Sequence, residues 1–126
     1  MTSKENLMNL LNAYGRMPTP FQTRVYRACS QIPKGKVTTY KLLAEALGIK
    51  SSQAIGQALK RNPYAPEVPC HRVVASDGTI GGFMGKVDGA EIAKKIRLLE
   101  SEGVVLDGNK VKDFERVVTR LREGVS

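Results

Sequence analysis

Cysteine and histidine are scarce in this sequence: two of the first, one of the second, with no tryptophan at all among 126 residues. There is no C-x-x-C or H-x-x-x-H spacing, which excludes the usual zinc frameworks, and no metal is implied. Two cysteines, Cys29 and Cys70, leave one bridge open but cannot build a disulfide framework. No apolar run approaches the roughly 18 residues needed to cross a membrane. The opening residues include Lys4, Glu5, Asn6 and Asn9, which do not fit a secretory signal. These absences point to a soluble domain in a reducing, cytoplasmic setting (nuclear in a eukaryote), with no membrane partner. At this length one domain buries a core without staples.

Acid is scarce too, but only in one half. Residues 6–66 hold nine lysines and arginines against a single acid, Glu45, and carry a charge of +8. Residues 67–126 balance ten bases with ten acids. A one-sided positive field is the footprint of a polyanion binder.

The apolar periodicity predicts mostly helix. Leu7, Leu10, Leu11 and Tyr14 suggest a short helix in an N-terminal extension, residues 1–18, ahead of one domain, 19–126. Thr19-Pro20-Phe21-Gln22 reads as a capping box with proline in the first helical position. Phe21, Val25, Ala28, Cys29 and Ile32 follow on one face, where Cys29 suits a buried structural thiol. Thr39 or Tyr40 opens a helix that Gly48 ends. Ser51 or Ser52 caps another, running to about Arg61 and stopped by Asn62-Pro63. Ala54, Ile55, Ala58 and Leu59 face inward, leaving Gln53, Gln57 and Lys60 on an outward face without acid. This pair fits a helix-turn-helix whose amides and cations bind phosphates and base edges; it fits an ordinary αα-hairpin equally well.

Beyond residue 66, Val68–Val74 is apolar but interrupted, and Ser76-Asp77-Gly78 is a turn between strands. Gly81–Gly85 is a loop. Asp88–Glu91 resembles a second capping box, opening a helix that buries Ile92, Ile96 and Leu99 and ends at Gly103. Asp107-Gly108-Asn109 centres a hairpin. Asp113 caps a last helix with Phe114, Val117, Val118 and Leu121 inward.

The string Val68-Pro69-Cys70-His71-Arg72-Val73-Val74 sets the only histidine beside a cysteine. A neighbouring base or positive charge raises the thiolate fraction, and His71, Arg72 and the surplus cations all qualify. A buried cysteine beside a hydrogen-bonded histidine is the other reading.

Pro69-Cys70-His71-Arg72-Val73 resembles the active-site signature of the O6-alkylguanine-DNA alkyltransferases. The likeness runs in order from Phe21 through Ile32–Val37, Tyr40, Leu42-Leu43-Ala44, Gly56 and Asn62-Pro63 to Gly85, then Leu98-Leu99 and Glu102-Gly103, about 80 residues. It implies a mainly α domain with short strands, built around a winged-helix-like helix-turn-helix. It also implies binding to double-stranded DNA containing O6-alkylguanine; a monomer is the simplest reading of the chain. In that family the damaged nucleotide is flipped out, because its reacting atom lies inside the stack. Position by position, Cys70 is then the nucleophile, His71 its base through water, and Glu102 orients His71. Tyr40 donates to the flipped base, and Asn62 braces the loop holding Cys70. The guanine edge is read by the carbonyls of Cys70 and Val73 and the N–H of Met84, with Phe83 beside them; Gly85 permits close approach. Lys50, Ser51, Ser52, Gln53, Gln57, Lys60 and Arg61 make the DNA-binding set. Gln53 stands where the family usually has an arginine, and Phe83 and Met84 where it usually has tyrosine and serine. The resemblance implies no cofactor, since the alkyl donor is the DNA and each chain acts once. The alkyltransferase-like proteins, which bind lesions without repairing them, are the alternative; they typically lack the cysteine that Cys70 supplies here.

Overall fold

The computed structural model describes residues 18–81 and 89–122. The expected helix before residue 18 lies outside the described residues. So do Asp88 of the second capping box and Phe83, Met84 and Gly85. Within the described residues the fold is mainly helical with short strands, as expected.

Helix α1 spans Pro20–Cys29. Its first turn is closed reciprocally: Gln22 N–H donates to Thr19 Oγ1 and Thr19 N–H to Gln22 Oε1, both at 3.0 Å. This satisfies two of the amides that a helix start leaves without partners. Val25, Tyr26, Ala28 and Cys29 form its buried face. A turn through Gly35 leads to β1, Thr38–Thr39, and Thr39 then caps α2, Tyr40–Ala46, by accepting from Leu42 N–H. Gly48, at φ +68°, turns the chain towards α3, Ser52–Lys60, which Ser51 caps through Ala54 N–H. Arg24 of α1 donates to Leu47 O at 2.7 Å, placing a cation on a carbonyl at the α2 C-terminus. Leu43, Ala44, Leu47, Ile55, Ala58 and Leu59 close over the α1 face to form the main core.

The apolar stretch 68–74 is a strand only at its end. Cys70–Arg72 is a single 3₁₀ turn, and Val73–Val74 forms β2, parallel to β1 with Thr38 opposite Val73 and Thr39 opposite Val74. Helix α4, Gly89–Ser101, buries Leu99 and half-buries Ile92 and Ile96. The predicted hairpin is present as β3, Leu106–Asp107, and β4, Lys110–Val111.

The last helix is shorter than its spacing suggests. Helix α5 covers only Phe114–Val117, and Asp113 precedes it at φ 54° with no side-chain cap bond. The chain then runs extended. Val37 N–H donates to Val117 O at 2.9 Å, Thr119 N–H to Val37 O at 2.7 Å, and Thr38 Oγ1 to Thr119 O at 2.8 Å. Val117-Val118-Thr119 is a β-branched run that favours extended backbone. It also pairs with Val37, just before β1, whose backbone N–H and C=O would otherwise lack partners. Phe114, Val117, Val118 and Leu121 are each partly buried.

Gly78 shows how this C-terminal segment is seated. Its φ is +86°, and a Cβ built there would lie 3.0 Å from Phe114 Cγ. Gly78→Ala is expected to cost about 1–3 kcal/mol through backbone strain, with displacement of Phe114 adding to it. Thermal unfolding is the check: a Tm within a degree of wild type would show that Phe114 does not pack against this turn.

Candidate active site and nucleic-acid interface

Cys70 sits in a turn braced from inside. Its N–H donates to Val68 O at 2.8 Å, and Arg72 N–H donates to Pro69 O at 2.9 Å. Asn62, only 1% exposed, spans the preceding loop: its Nδ2 donates to Val68 O and its Oδ1 accepts from Tyr64 N–H, each at 2.9 Å. An amide suits this place because it donates and accepts at once. Cys70 itself is 5% exposed. Burial pushes its thiol above the ordinary value; a hydrogen bond from Asn62 and the charge of Lys95 pull it back only in part. Burial thus favours the thiol form, opposed by Asn62 and by the charges of Lys95 and Lys94. Arg72 is engaged elsewhere, and burial outweighs what the remaining cations supply.

Arg72 points to Glu102, just beyond α4. Its Nε and Nη2 donate to Oε1 and Oε2 at 2.9 and 2.6 Å, and its Nη1 donates to Ile32 O at 2.7 Å. The same carboxylate lies 3.2 Å from Nε2 of His71 through both oxygens. Burial alone would raise the Glu102 pKa, but the hydrogen bonds from Arg72 and His71 hold it below the ordinary glutamate value. Burial lowers His71, against the pull of Glu102, so the ring is neutral at pH 7. A neutral ring facing a carboxylate carries its proton on Nε2, an assignment made from the hydrogen-bond pattern. The lone pair is then on Nδ1, which is buried and lacks a hydrogen-bond partner among the described residues. The network thus holds a histidine with its basic nitrogen open.

Tyr40 links this centre to the surface. Its hydroxyl pKa is pushed up to about 12, first by burial, then by Cys70 and Cys29. Its ring also lines a cleft of about 440 Å³ with Ser52, Gln53, Gly56, Gln57, Ala75 and Ser76. Ser52, Gln53 and Gln57 of the expected DNA-binding set therefore face one cleft with Tyr40. Lys50 and Ser51 are exposed just before α3, where the Ser51 hydroxyl is used as the cap. Lys60 and Arg61 are exposed at the opposite end of the helix and do not line the cleft. Ala75 and Ser76 were not foreseen, since nothing in the sequence brings the turn after β2 against α3.

Lys95 was also missed. It is 0% exposed, and its Nζ donates to Val73 O at 2.9 Å and to Ile80 O at 2.5 Å. Burial lowers its pKa to about 8, against the pull of Cys70. The signal was present in the spacing: Lys95 lies three residues after Ile92 and four before Leu99, on their apolar face. Among the described residues no helix is long and apolar enough to cross a membrane, and no cluster of potential metal ligands occurs.

Residues 20–104 match the family described as 6-O-methylguanine DNA methyltransferase, DNA binding domain. A methylated-DNA–protein-cysteine methyltransferase of Methanothermobacter thermautotrophicus is 46% identical over 90 residues, covering 71% of this chain and 48% of that protein. The crystal structure of O6-methylguanine-DNA methyltransferase from Pyrococcus kodakaraensis is similar over 68% of this chain and 47% of its own, with 48% identity and a TM-score of 0.59. Atl1 of S. pombe, solved in complex with damaged DNA containing O6-carboxymethylguanine, is 31% identical with a TM-score of 0.70. That likeness covers 83% of this chain and 99% of Atl1. The chain thus spans about half the length of the two methyltransferases and nearly all of Atl1.

The Glu102 network makes stability depend on acidity in a defined direction. Folding lowers Glu102 below its ordinary 4.5, so its contribution is complete above that pH and is lost as the pH falls through the lower folded value. Folding also lowers His71 below 6.5, so stability begins to fall below that pH as the unfolded chain takes up the proton first. Glu102→Gln leaves Arg72 without its counter-charge and is expected to cost about 3 kcal/mol at pH 7. Its stability should also depend less on pH below 4.5 than that of wild type. Urea unfolding from pH 3 to pH 8 tests this; parallel curves for the two proteins would exclude the contribution assigned to Glu102.

Proposed function

Because this chain belongs to the 6-O-methylguanine DNA methyltransferase family, we propose that it repairs DNA by transferring the alkyl group from O6 of an alkylguanine to the sulfur of its own Cys70. One observation carries the proposal. A buried cysteine adjoins a histidine whose Nε2 is fixed by Glu102 and whose Nδ1 is open. We read these three as the nucleophile, base and orienting carboxylate of an activated cysteine.

Helices α2 and α3 act as a helix-turn-helix on duplex DNA, with Ser52, Gln53 and Gln57 against the groove and Lys50, Ser51, Lys60 and Arg61 at its margins. The surplus cations of residues 18–66 draw in the phosphate backbone. The damaged nucleotide leaves the stack, since its O6 substituent cannot be reached within it. It passes Tyr40, whose hydroxyl stays protonated and donates to the base. The carbonyls of Cys70 and Val73 and the N–H of Met84 read the guanine edge, with Phe83 and Gly85 completing the pocket.

The Cys70 proton passes through water to Nδ1 of His71, which Glu102 stabilises as it becomes charged. The sulfur then attacks the alkyl carbon, and the bond from that carbon to O6 breaks with its electron pair going to guanine. Guanine takes up the proton held by His71 and remains in the DNA as an ordinary base, and the protein keeps a thioether. No cofactor takes part. The protein acts as a monomer inside the cell, and each chain repairs one lesion.

Lesion binding without transfer is the second reading, favoured by the likeness that extends over nearly the whole of Atl1. Intact-protein mass after incubation with duplex DNA carrying one O6-methylguanine separates the two. One methyl per chain, mapped to Cys70 and absent from Cys70→Ala, is the expected result. Tight lesion binding with no mass change would exclude transfer and leave the lesion binder.

DNA affinity is expected to fall steeply with salt, its logarithm declining by about 0.9 per phosphate neutralised for each unit of log salt concentration. A flat dependence in a fluorescence-anisotropy titration would rule out the charged half of the chain as the backbone-binding surface.

A further inference from the structure

Lys95 is the only buried lysine or arginine among the described residues. A lysine head group inside a small domain is costly, because its charge loses hydration. Its position identifies what that charge serves. Val73 closes the Cys70–Arg72 turn by donating its N–H to Cys70 O, and the carbonyl of the same residue receives Lys95 Nζ. The second acceptor, Ile80 O, belongs to the segment after the Ser76–Gly78 turn. One ammonium group therefore fastens the peptide that follows the cysteine turn to the chain leaving β2. It does so from α4, the helix that leads into Glu102.

We propose that Lys95 is a positioning residue of the reaction centre: its buried ammonium fixes the Val73 carbonyl and holds a positive charge behind the Cys70 turn, against which the Cys70 thiolate forms. The inference rests on the transfer reading above and adds a second source of activation to it. His71 and Glu102 receive the thiol proton. Lys95 stabilises the charge left on sulfur, in surroundings where a field is weakly screened. The reciprocal influence of the two groups agrees with this: Cys70 holds the Lys95 pKa up, and Lys95 leads the charges that draw the Cys70 thiol down. The other groups acting on that sulfur are Asn62 and Lys94, with Tyr26 and Tyr40 sensing its charge in turn. His71 adjoins it in the turn.

The test compares wild type with Lys95→Gln, whose amide still donates to the two carbonyls but carries no charge. The rate of Cys70 alkylation by iodoacetamide is followed by mass from pH 5 to pH 10, with the fully buried Cys29 as internal control. In Lys95→Gln the profile is expected to move about one unit to higher pH, slowing the reaction about tenfold at pH 7. Coincident profiles in the two folded proteins would overturn the proposal and leave Lys95 a structural clamp. If Lys95→Gln does not fold, the wild-type protein decides. The Lys95 ¹³Cε resonance is titrated before and after carbamidomethylation of Cys70. Its midpoint is expected to fall once the sulfur can no longer become an anion, and an unchanged midpoint would overturn the proposal. Iodoacetamide needs no DNA, so neither result depends on whether Cys70 accepts an alkyl group from guanine.

Discussion

The carboxylate of Glu102 ties together three stretches of chain that are far apart in sequence. It receives two hydrogen bonds from Arg72 and lies against Nε2 of His71, while Arg72 reaches on to the carbonyl of Ile32 at the end of the α1 segment. The neighbouring turn comes so close that a Cβ at Gly35 would lie 3.2 Å from the Glu102 carbonyl. The Cys70 turn is thus held between α4 and the α1–β1 connection. A shared carboxylate suits this task because Arg72 keeps it charged, and only a charged carboxylate fixes the His71 tautomer that leaves Nδ1 open. The orientation of the His71 ring therefore depends on the Arg72–Glu102 ion pair.

A tension between burial and reactivity runs through the site. The domain places Cys70, His71 and Lys95 in its interior, and burial opposes the charged form of each. For His71 it favours the neutral ring. For Cys70 it favours the thiol over the thiolate, against the pull of Asn62 and Lys95. Tyr40 follows the same logic, its hydroxyl held protonated far above neutral pH.

Much of the fold was legible because the local signals are chemical and short in range. Thr19 with Gln22, Thr39, Ser51 and Gly48 mark helix ends through bonds to residues three or four positions away, and each stands where its type predicts. The hairpin about Gly108 was equally readable. The final helix was not. The spacing of Phe114, Val117, Val118 and Leu121 is helical, yet the chain straightens after Val117 because the backbone of Val37, distant in the sequence, offers it hydrogen bonds. Arg72 was misjudged for a similar reason. Beside Cys70 in sequence it looked like a source of activating charge, whereas its partners lie 30 and 40 residues away.

By itself the sequence determined the helical class, the positive first half, the pairing of Cys70 with His71 and the resemblance that gives both a role. These are properties of composition and of residues close together along the chain. Tertiary structure alone decided that Cys70 is a buried thiol, that Glu102 serves Arg72 as well as His71, that Ser76 joins Gln53 and Tyr40 around one cleft, and that Lys95 points inward. Desolvation and hydrogen bonding between remote segments set each of these, and neither is written in the order of residues along the chain.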